Sequence, residues 1–373
     1  MRELDSMAVQ AGVAGGAILA GGGGGWVRHG YEIGNLAVSY GSPRLVPLDD
    51  LADDDLVVVV SQIGAPAAPD AHMEPRDFIR ALEMVMQATP GRIVGVMTAQ
   101  NGSSTTVHGW LHAAVIEGLS VVDVAGNGRA HPTAKMGGMG LAADPSFITV
   151  AAGAGGDRAK GKYVEALARG SLAATSNIMR RTAIEAGGFV ANARTPISVE
   201  FLRRKGAVGA ISFALDVGSL VLAAREKGGG AVLDALVDNL SAHVLVAGVV
   251  EEFELRTENG FDLGYAMLSD GSGTAVELRL CNEWMTAERA GERVASFPDV
   301  IHLLDTADGQ PVAAADVRKG QRLTAFAIPG GRIPLGAGVC DPSVYPEVEA
   351  MIGRDLLDYA MAVASRNDYL QRP

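Results

Sequence analysis

Only two cysteines, Cys281 and Cys340, occur in the 373 residues. Two thiols make no disulfide framework, so a small stapled secreted scaffold is excluded and two inert reduced thiols are expected. Aromatic residues are scarce at 5%. Positive charge is in deficit: 31 Lys and Arg stand against 43 Asp and Glu, a net charge of 31 − 43 = −12. Nucleic-acid binding needs clustered cations. The one basic cluster, Arg203-Arg204-Lys205, reads as a solvated helix end, so no nucleic-acid partner is expected. A long uncharged run does occur, at residues 6–27, but eight of those 22 residues are glycine. The preceding Met1-Arg2-Glu3-Leu4-Asp5 carries more acid than base. Such a run is neither a leader nor a spanning helix. A cytoplasmic protein without membrane contact is the expectation.

Hydrophobic residues, at 48%, are enough for a sizeable core and exclude wholesale disorder. Glycine, at 48 residues, is about twice its usual share. Leu56-Val57-Val58-Val59-Val60 is an apolar run of the kind buried on both faces of a sheet. Arg44 to Leu48, Arg92 to Met97 and Ser120 to Val124 are further strands. Helices are predicted over residues 7–20, Pro75 to Thr89 and Val107 to Gly118. This alternation predicts a mostly parallel α/β domain over residues 1–165. Residues 166–373 read as a second domain: helical over 166–240, β-rich over 241–345, with a closing helix over 346–365. After about residue 160, Tyr163 to Met179, Thr182 to Phe189 and Pro196 to Lys205 are expected to be helical.

Ligands of open α/β sheets bind outside the carboxyl ends of the strands. The loops there are Gln62 to Pro66, Thr98 to Thr106 and Ala125 to Pro132. The segment Asp123 to Pro132 offers a carboxylate, an amide, a guanidinium and an imidazole, which makes Asp123 and His131 candidate acid–base groups. Asn127 and Arg129 are candidate substrate donors, a guanidinium being suited to a carboxylate. Asn101 and Ser103 open a helix with N–H groups and hydroxyls facing the sheet edge. Gly21 to Gly25 follows a helix rather than a strand and is not succeeded by Lys-Ser/Thr, so it is neither a dinucleotide fingerprint nor a phosphate loop. Close packing, or approach of a small ligand to Gly22, Gly23 and Gly24, fits it better; nucleotide binding is a weaker alternative. His108 and His112, four apart on one helix face, are candidate ligands for a divalent metal such as zinc. Glu283 is a carboxylate beside a strand end. The high apolar content makes a homo-oligomer the expected state.

Four features occur in order: Gly21 to Gly25 after a small-residue helix; Ile63-Gly64-Ala65-Pro66; Val122-Asp123 to Pro132 around Gly128-Arg129-Ala130; and Asn282-Glu283 followed by Ser296-Phe297-Pro298-Asp299. Together they resemble the S-methyl thiohydantoin desulfurase-like family over nearly the whole chain. The resemblance implies an N-terminal and a C-terminal family domain and a link to hydantoinase and oxoprolinase catabolism. It implies a hydrolase that acts on a small cyclic amide or thioimidate and releases a thiol. Asp123 or His131 would then be the base, directly or on a metal-bound water, with Glu283 a further catalytic carboxylate. The alternative is a non-catalytic small-molecule-binding subunit working with a hydantoinase- or oxoprolinase-like enzyme. The chain departs from the family pattern at Asn101 to Thr106, where a Glu-x-Gly-Gly-x-Asn segment is expected, and at His131, where an aromatic is expected.

Overall fold

The computed structural model describes residues 1–64, 70–258 and 261–367. Ala65 and Pro66 of the second motif therefore lie outside the described residues. The chain begins with β1 (Arg2–Glu3), α1 (Ser6–Leu19), α2 (Val27–Tyr40), β2 (Arg44–Val46), β3 (Leu56–Gly64), α3 (Pro75–Ala88), β4 (Ile93–Thr98), α4 (Trp110–Val115) and β5 (Ser120–Ala125). It continues through β6 (Thr149–Gly155), β7 (Val164–Gly170), α5 (Leu172–Glu185), β8 (Phe189–Ser198), α6 (Val199–Lys205), β9 (Ala207–Val208), α7 (Ala210–Arg225) and α8 (Gly229–Leu240). The remainder is β10 (His243–Glu258), β11 (Phe261–Ser269), β12 (Ala275–Cys281), β13 (Glu283–Arg289), β14 (Glu292–Ser296), β15 (Val300–Asp305), β16 (Arg322–Ile328), α9 (Pro346–Ile352) and α10 (Leu357–Ala364).

The first sheet runs β1-β2-β5-β4-β3-β8-β6-β7, with β9 beside β5. Its core, β2-β5-β4-β3, is parallel, as the strand–helix alternation predicts. Val57 to Val60 are buried in it. On the far side of β3, the strands β8, β6 and β7 add antiparallel, so the sheet as a whole is mixed. The second sheet, β14-β13-β12-β11-β10-β16-β15, is antiparallel throughout. One of its faces encloses Leu278, Trp284, Ile301 and Ala325 in a single core. The other packs Leu263, Met285, Phe297 and Phe326 onto α7 to α10 and onto Ile18 and Leu19 of α1.

Several local expectations change. Val164–Gly170, expected inside a helix, is strand β7, and the helix begins only after Ser171, whose side chain accepts from the Ala174 N–H. Residues 196–198 belong to strand β8, and α6 starts at Val199 under a Ser198 cap. The closing helix is two helices, α9 and α10, separated at Gly353, whose φ is +66°.

Helix α1 places the site. Asp5 caps it through the Ala8 N–H at 2.8 Å. Small residues let it lie directly on α7: a Cβ at Gly15 would strike the Ala214 carbonyl, and one at Gly218 the Ala11 carbonyl. With glycines at these crossing points the two backbones touch, and the loop that follows α1 reaches β13.

Candidate functional site

Three consecutive glycines form the floor. Gly21, at φ +57°, has no room for a Cβ because Arg129 Nη2 would lie 2.9 Å from it. At Gly22, φ +96°, the same atom would lie 2.8 Å from Trp284 Nε1. At Gly23 it would collide with the Glu283 carboxyl. The loop is pinned from the C-terminal half: the Trp284 N–H donates to the Gly21 carbonyl at 2.8 Å and the Ala314 N–H to the Gly22 carbonyl at 2.9 Å. Gly24 packs against Gly102. The glycines thus bring three polar side chains close to backbone, and the positive φ of Gly21 and Gly22 is one that L-residues rarely adopt.

Arg129 is fully buried. Its Nε donates to the Ala130 carbonyl at 2.8 Å and its Nη1 to the Asp299 carbonyl, while the guanidinium sits 4.8 Å from the centre of the Phe297 ring. Nη2 has no partner. Burial lowers the Arg129 pKa to about 10, opposed by Glu283 and Asp299, so the group is still charged at neutral pH. The run Ser296 to Asp299 holds this arginine; Asp299 is itself fixed by the Gly330 N–H and the Tyr359 hydroxyl, each at 2.7 Å.

Glu283 is 2% exposed and its Oε2 has no partner. Burial raises its pKa to about 8, against the pull of Arg129. Burial thus favours its protonated form. Trp284 Nε1 and both side-chain polar atoms of Asn127 are also buried without a partner. Buried polar groups are nearly always hydrogen-bonded. Arg129, Glu283 and Trp284 leave three such open valences along one loop, where a ligand or ordered water would satisfy them.

His131 is 6% exposed, and neither ring nitrogen has a partner of good hydrogen-bond geometry. Its pKa falls to about 4, first through burial and also through Arg194 and Arg129; the Ala99 and Thr133 backbone opposes this. The ring is a neutral base at pH 7.

Asp123 is not available as a base. Its Oδ1 accepts from the N–H groups of Ile211, at 3.1 Å, and Ser212, at 2.9 Å, and its Oδ2 from the Ser212 hydroxyl at 2.5 Å. Helix α7 starts at a glycine with no side-chain cap of its own. Asp123 supplies that cap from β5. Asn101 likewise serves the scaffold: its Nδ2 donates to the carbonyls of Gly128, at 3.2 Å, and Ala210, at 2.8 Å. It positions the Asn127–Arg129 backbone rather than a substrate. Ser103 is buried, its carbonyl against Gly30 of α2.

The histidine pair does not fit a metal centre. His112 Nδ1 faces the His108 carbonyl and Nε2 the Phe78 carbonyl, each at 3.1 Å, so both nitrogens point at backbone oxygens rather than at a position shared with His108. His108 packs beside His29 and Phe78, with ring centroids 6.4 and 6.1 Å away. No cluster of three metal-ligating side chains occurs among the described residues. Both cysteines are free, and burial pushes both thiols up, which suits inert packing rather than nucleophilic attack. No helix among the described residues is long and apolar enough to cross a membrane.

Trp284 and Arg194 were not singled out in the sequence. The adjacent Glu283 was a usable signal for the first. The second lay in a segment not read as a strand.

The family model described as "S-Me-THD-like, N-terminal domain" matches residues 8–161, and that described as "S-Me-THD-like, C-terminal domain" matches residues 171–333. No curated protein matches the chain. A crystal structure of a protein from Chromobacterium violaceum is similar over 88% of this chain and 92% of that one, with 23% identity and a TM-score of 0.69. At that identity the likeness is one of fold.

Proposed function

The chain belongs to the S-Me-THD-like family, and on that premise we propose that it hydrolyses a small cyclic amide or thioimidate of the hydantoin type with release of a thiol. One observation carries the reading: the Glu283 carboxyl, whose pKa burial raises to about 8, and the Arg129 guanidinium flank the same glycine loop, with Oε2 of the one and Nη2 of the other left without a hydrogen bond. An acid and a fixed cationic donor are what displacement at an sp² ring carbon needs.

In the desulfurase form of the reaction, a water oxygen bonds to C2 of the ring and the C2–S bond breaks. One water proton ends on the ring nitrogen and the other on the departing sulfur. Glu283 is the proton donor to the leaving group. Arg129 Nη2 and the indole Nε1–H of Trp284 offset charge on the ring oxygen. Neutral His131 is the base left for the attacking water once Asp123 is committed to α7. Asn127, with both ends of its amide free, orients the ring. None of these roles draws on a metal.

The test uses the full chain with 5-substituted S-methyl-2-thiohydantoins, reading released methanethiol with a disulfide dye. Turnover is expected, with Glu283→Gln reducing kcat by about 10²-fold or more. No thiol release from well-folded protein would end the desulfurase reading and favour a binding subunit without turnover.

A further inference from the structure

The first sheet ends at β7. The strand pairs with β6 along all of its 7 residues, without a bulge, and no described strand meets its outer edge. Folded proteins usually blunt such an edge with a proline, a bulge, an inward-facing charge or a covering element. Val164–Gly170 contains no proline, and the residues it turns into the fold are Val164, Ala166, Ala168 and Gly170. Ala166 and Ala168 pack with Ala151 of β6 under Met179 of α5.

The opposite face of β7 carries Glu165, Leu167 and Arg169, all exposed. Leu167 is 52% exposed, although Ala152, its neighbour on β6, is buried beneath α3. The exposed leucine and isoleucines among the described residues are Ile148, Leu167, Ile178 and Ile184. All four belong to the stretch that builds this end of the sheet.

Leu167 stands midway between an acid and a base. Antiparallel pairing with β7 of a second copy, about a two-fold axis at Leu167, sets each Glu165 opposite Arg169 of the other copy. It also sets Leu167 opposite itself and Ala166 opposite Ala168. Opposite charges directly across a strand pair attract. A slip must be by two residues to keep the faces matched. It would then set Leu167 against Glu165 or Arg169 and break both ion pairs, so one register is favoured. Glu165 is already held in place by Arg80 Nη2 and the Tyr163 hydroxyl, each at 2.8 Å. The Arg169 side chain makes no ion pair or hydrogen bond among the described residues.

Helix α5 fits the same arrangement. It lies over β6 and β7, so two copies of it lie about two strand spacings apart across the axis, roughly 10 Å. That is the distance at which helices pack. Ala174 of α5 meets Gly170 of β7. Ile178, one turn on, stands on the same flank and is exposed there for the second helix to cover.

We propose that the chain dimerises through β7, with a second copy of itself on the open edge and the two first sheets merged into one. Backbone hydrogen bonds join the strands, Leu167 and Ile178 make the apolar contact, and Glu165 with Arg169 sets the register. A two-fold axis makes each of these contacts twice. The inference is independent of the reaction at the glycine loop.

The experiment is sedimentation equilibrium of the full chain, with disulfide crosslinking as a second readout. The wild type should be a dimer at micromolar concentration. Arg169→Glu faces acid with acid, and Glu165→Arg faces base with base; each should weaken the dimer about ten-fold or more. Mixed together, the two variants should recover a heterodimer, because each supplies the charge that the other lacks. Leu167→Cys should give a disulfide-linked dimer under mild oxidation, since residues opposite each other in an antiparallel pair lie about 4.5–5.5 Å apart at Cα. Arg169→Cys should not, because its two copies would lie about 13 Å apart. The wild type controls for the two native thiols, and the crosslink tests the edge even where a charge reversal fails to fold. A monomeric wild type, a dimer indifferent to both charge reversals, a mixture that recovers no heterodimer, or crosslinking at 169 as readily as at 167 would overturn the proposal.

Discussion

Replacing Glu283 with glutamine removes one proton-binding group from the buried site and little else. The wild-type carboxyl is displaced from 4.5 in the unfolded chain to about 8 in the fold, chiefly by burial. A raised acid binds its proton more tightly when folded, so its contribution is fully present below pH 4.5. It is lost progressively as pH climbs through 8. At about 1.36 kcal/mol per pH unit, the displacement from 4.5 to about 8 corresponds to roughly 5 kcal/mol, as an upper value for the loss between pH 4 and pH 9. Glutamine cannot ionise, so the variant should lack this component. Urea unfolding followed by tryptophan fluorescence at pH 5, 6.5, 8 and 9 measures it. The two proteins should be closest at pH 5, and the variant should gain on the wild type by a few kcal/mol at pH 9. All other titrating groups are common to both and cancel in the difference. A stability difference independent of pH would refute the reasoning, because it would mean that Glu283 is ionised in the fold or solvated.

Two further substitutions probe the scaffold. Asp123→Ala should cost about 1–2 kcal/mol of stability, as loss of a helix cap does, while the folded fraction keeps kcat within a few-fold of wild type; thermal melts and the thiol-release assay check the two halves of this. Gly15→Ala should destabilise by about 3 kcal/mol or more, or leave no folded protein, because its methyl would enter the Ala214 carbonyl and the helices cannot part without opening the core; chemical denaturation measures it, and an unchanged midpoint would show that α1 and α7 are not in backbone contact.

What the sequence conveys depends on how local the physics is. Val57 to Val60 read as a buried strand because four consecutive apolar residues fit only a two-faced environment, and β3 is there. The alternating apolar positions after His243 likewise predict the antiparallel sheet that begins with β10. Strand β7 was hidden because it is an edge strand, exposed on alternate residues, and its Ala-rich Val164–Gly170 passes as helix. Asp123 shows the other limit. A carboxylate at a strand end has the profile of a base, and only the arrival of an uncapped helix some 88 positions later reveals its occupation. Glu283 and Arg129 were legible as polar residues in motif positions. Their shared glycine floor was not, since it joins three stretches distant in sequence.

That separation bears on how activity arises during synthesis. Arg129 donates to a carbonyl 170 residues further on, and Gly21 accepts from Trp284. Until β13 and β15 have been translated and folded back, Arg129 lacks its Asp299 tether and the acid at position 283 does not exist. A ribosome-bound or truncated N-terminal half would therefore hold a sheet and a glycine loop but no proton donor. The same long tethers mean that both family domains contribute to the glycine-lined site. Supplied as two separate polypeptides, they should recover a complete site only by reassociating, which makes a split reporter a natural use of the architecture.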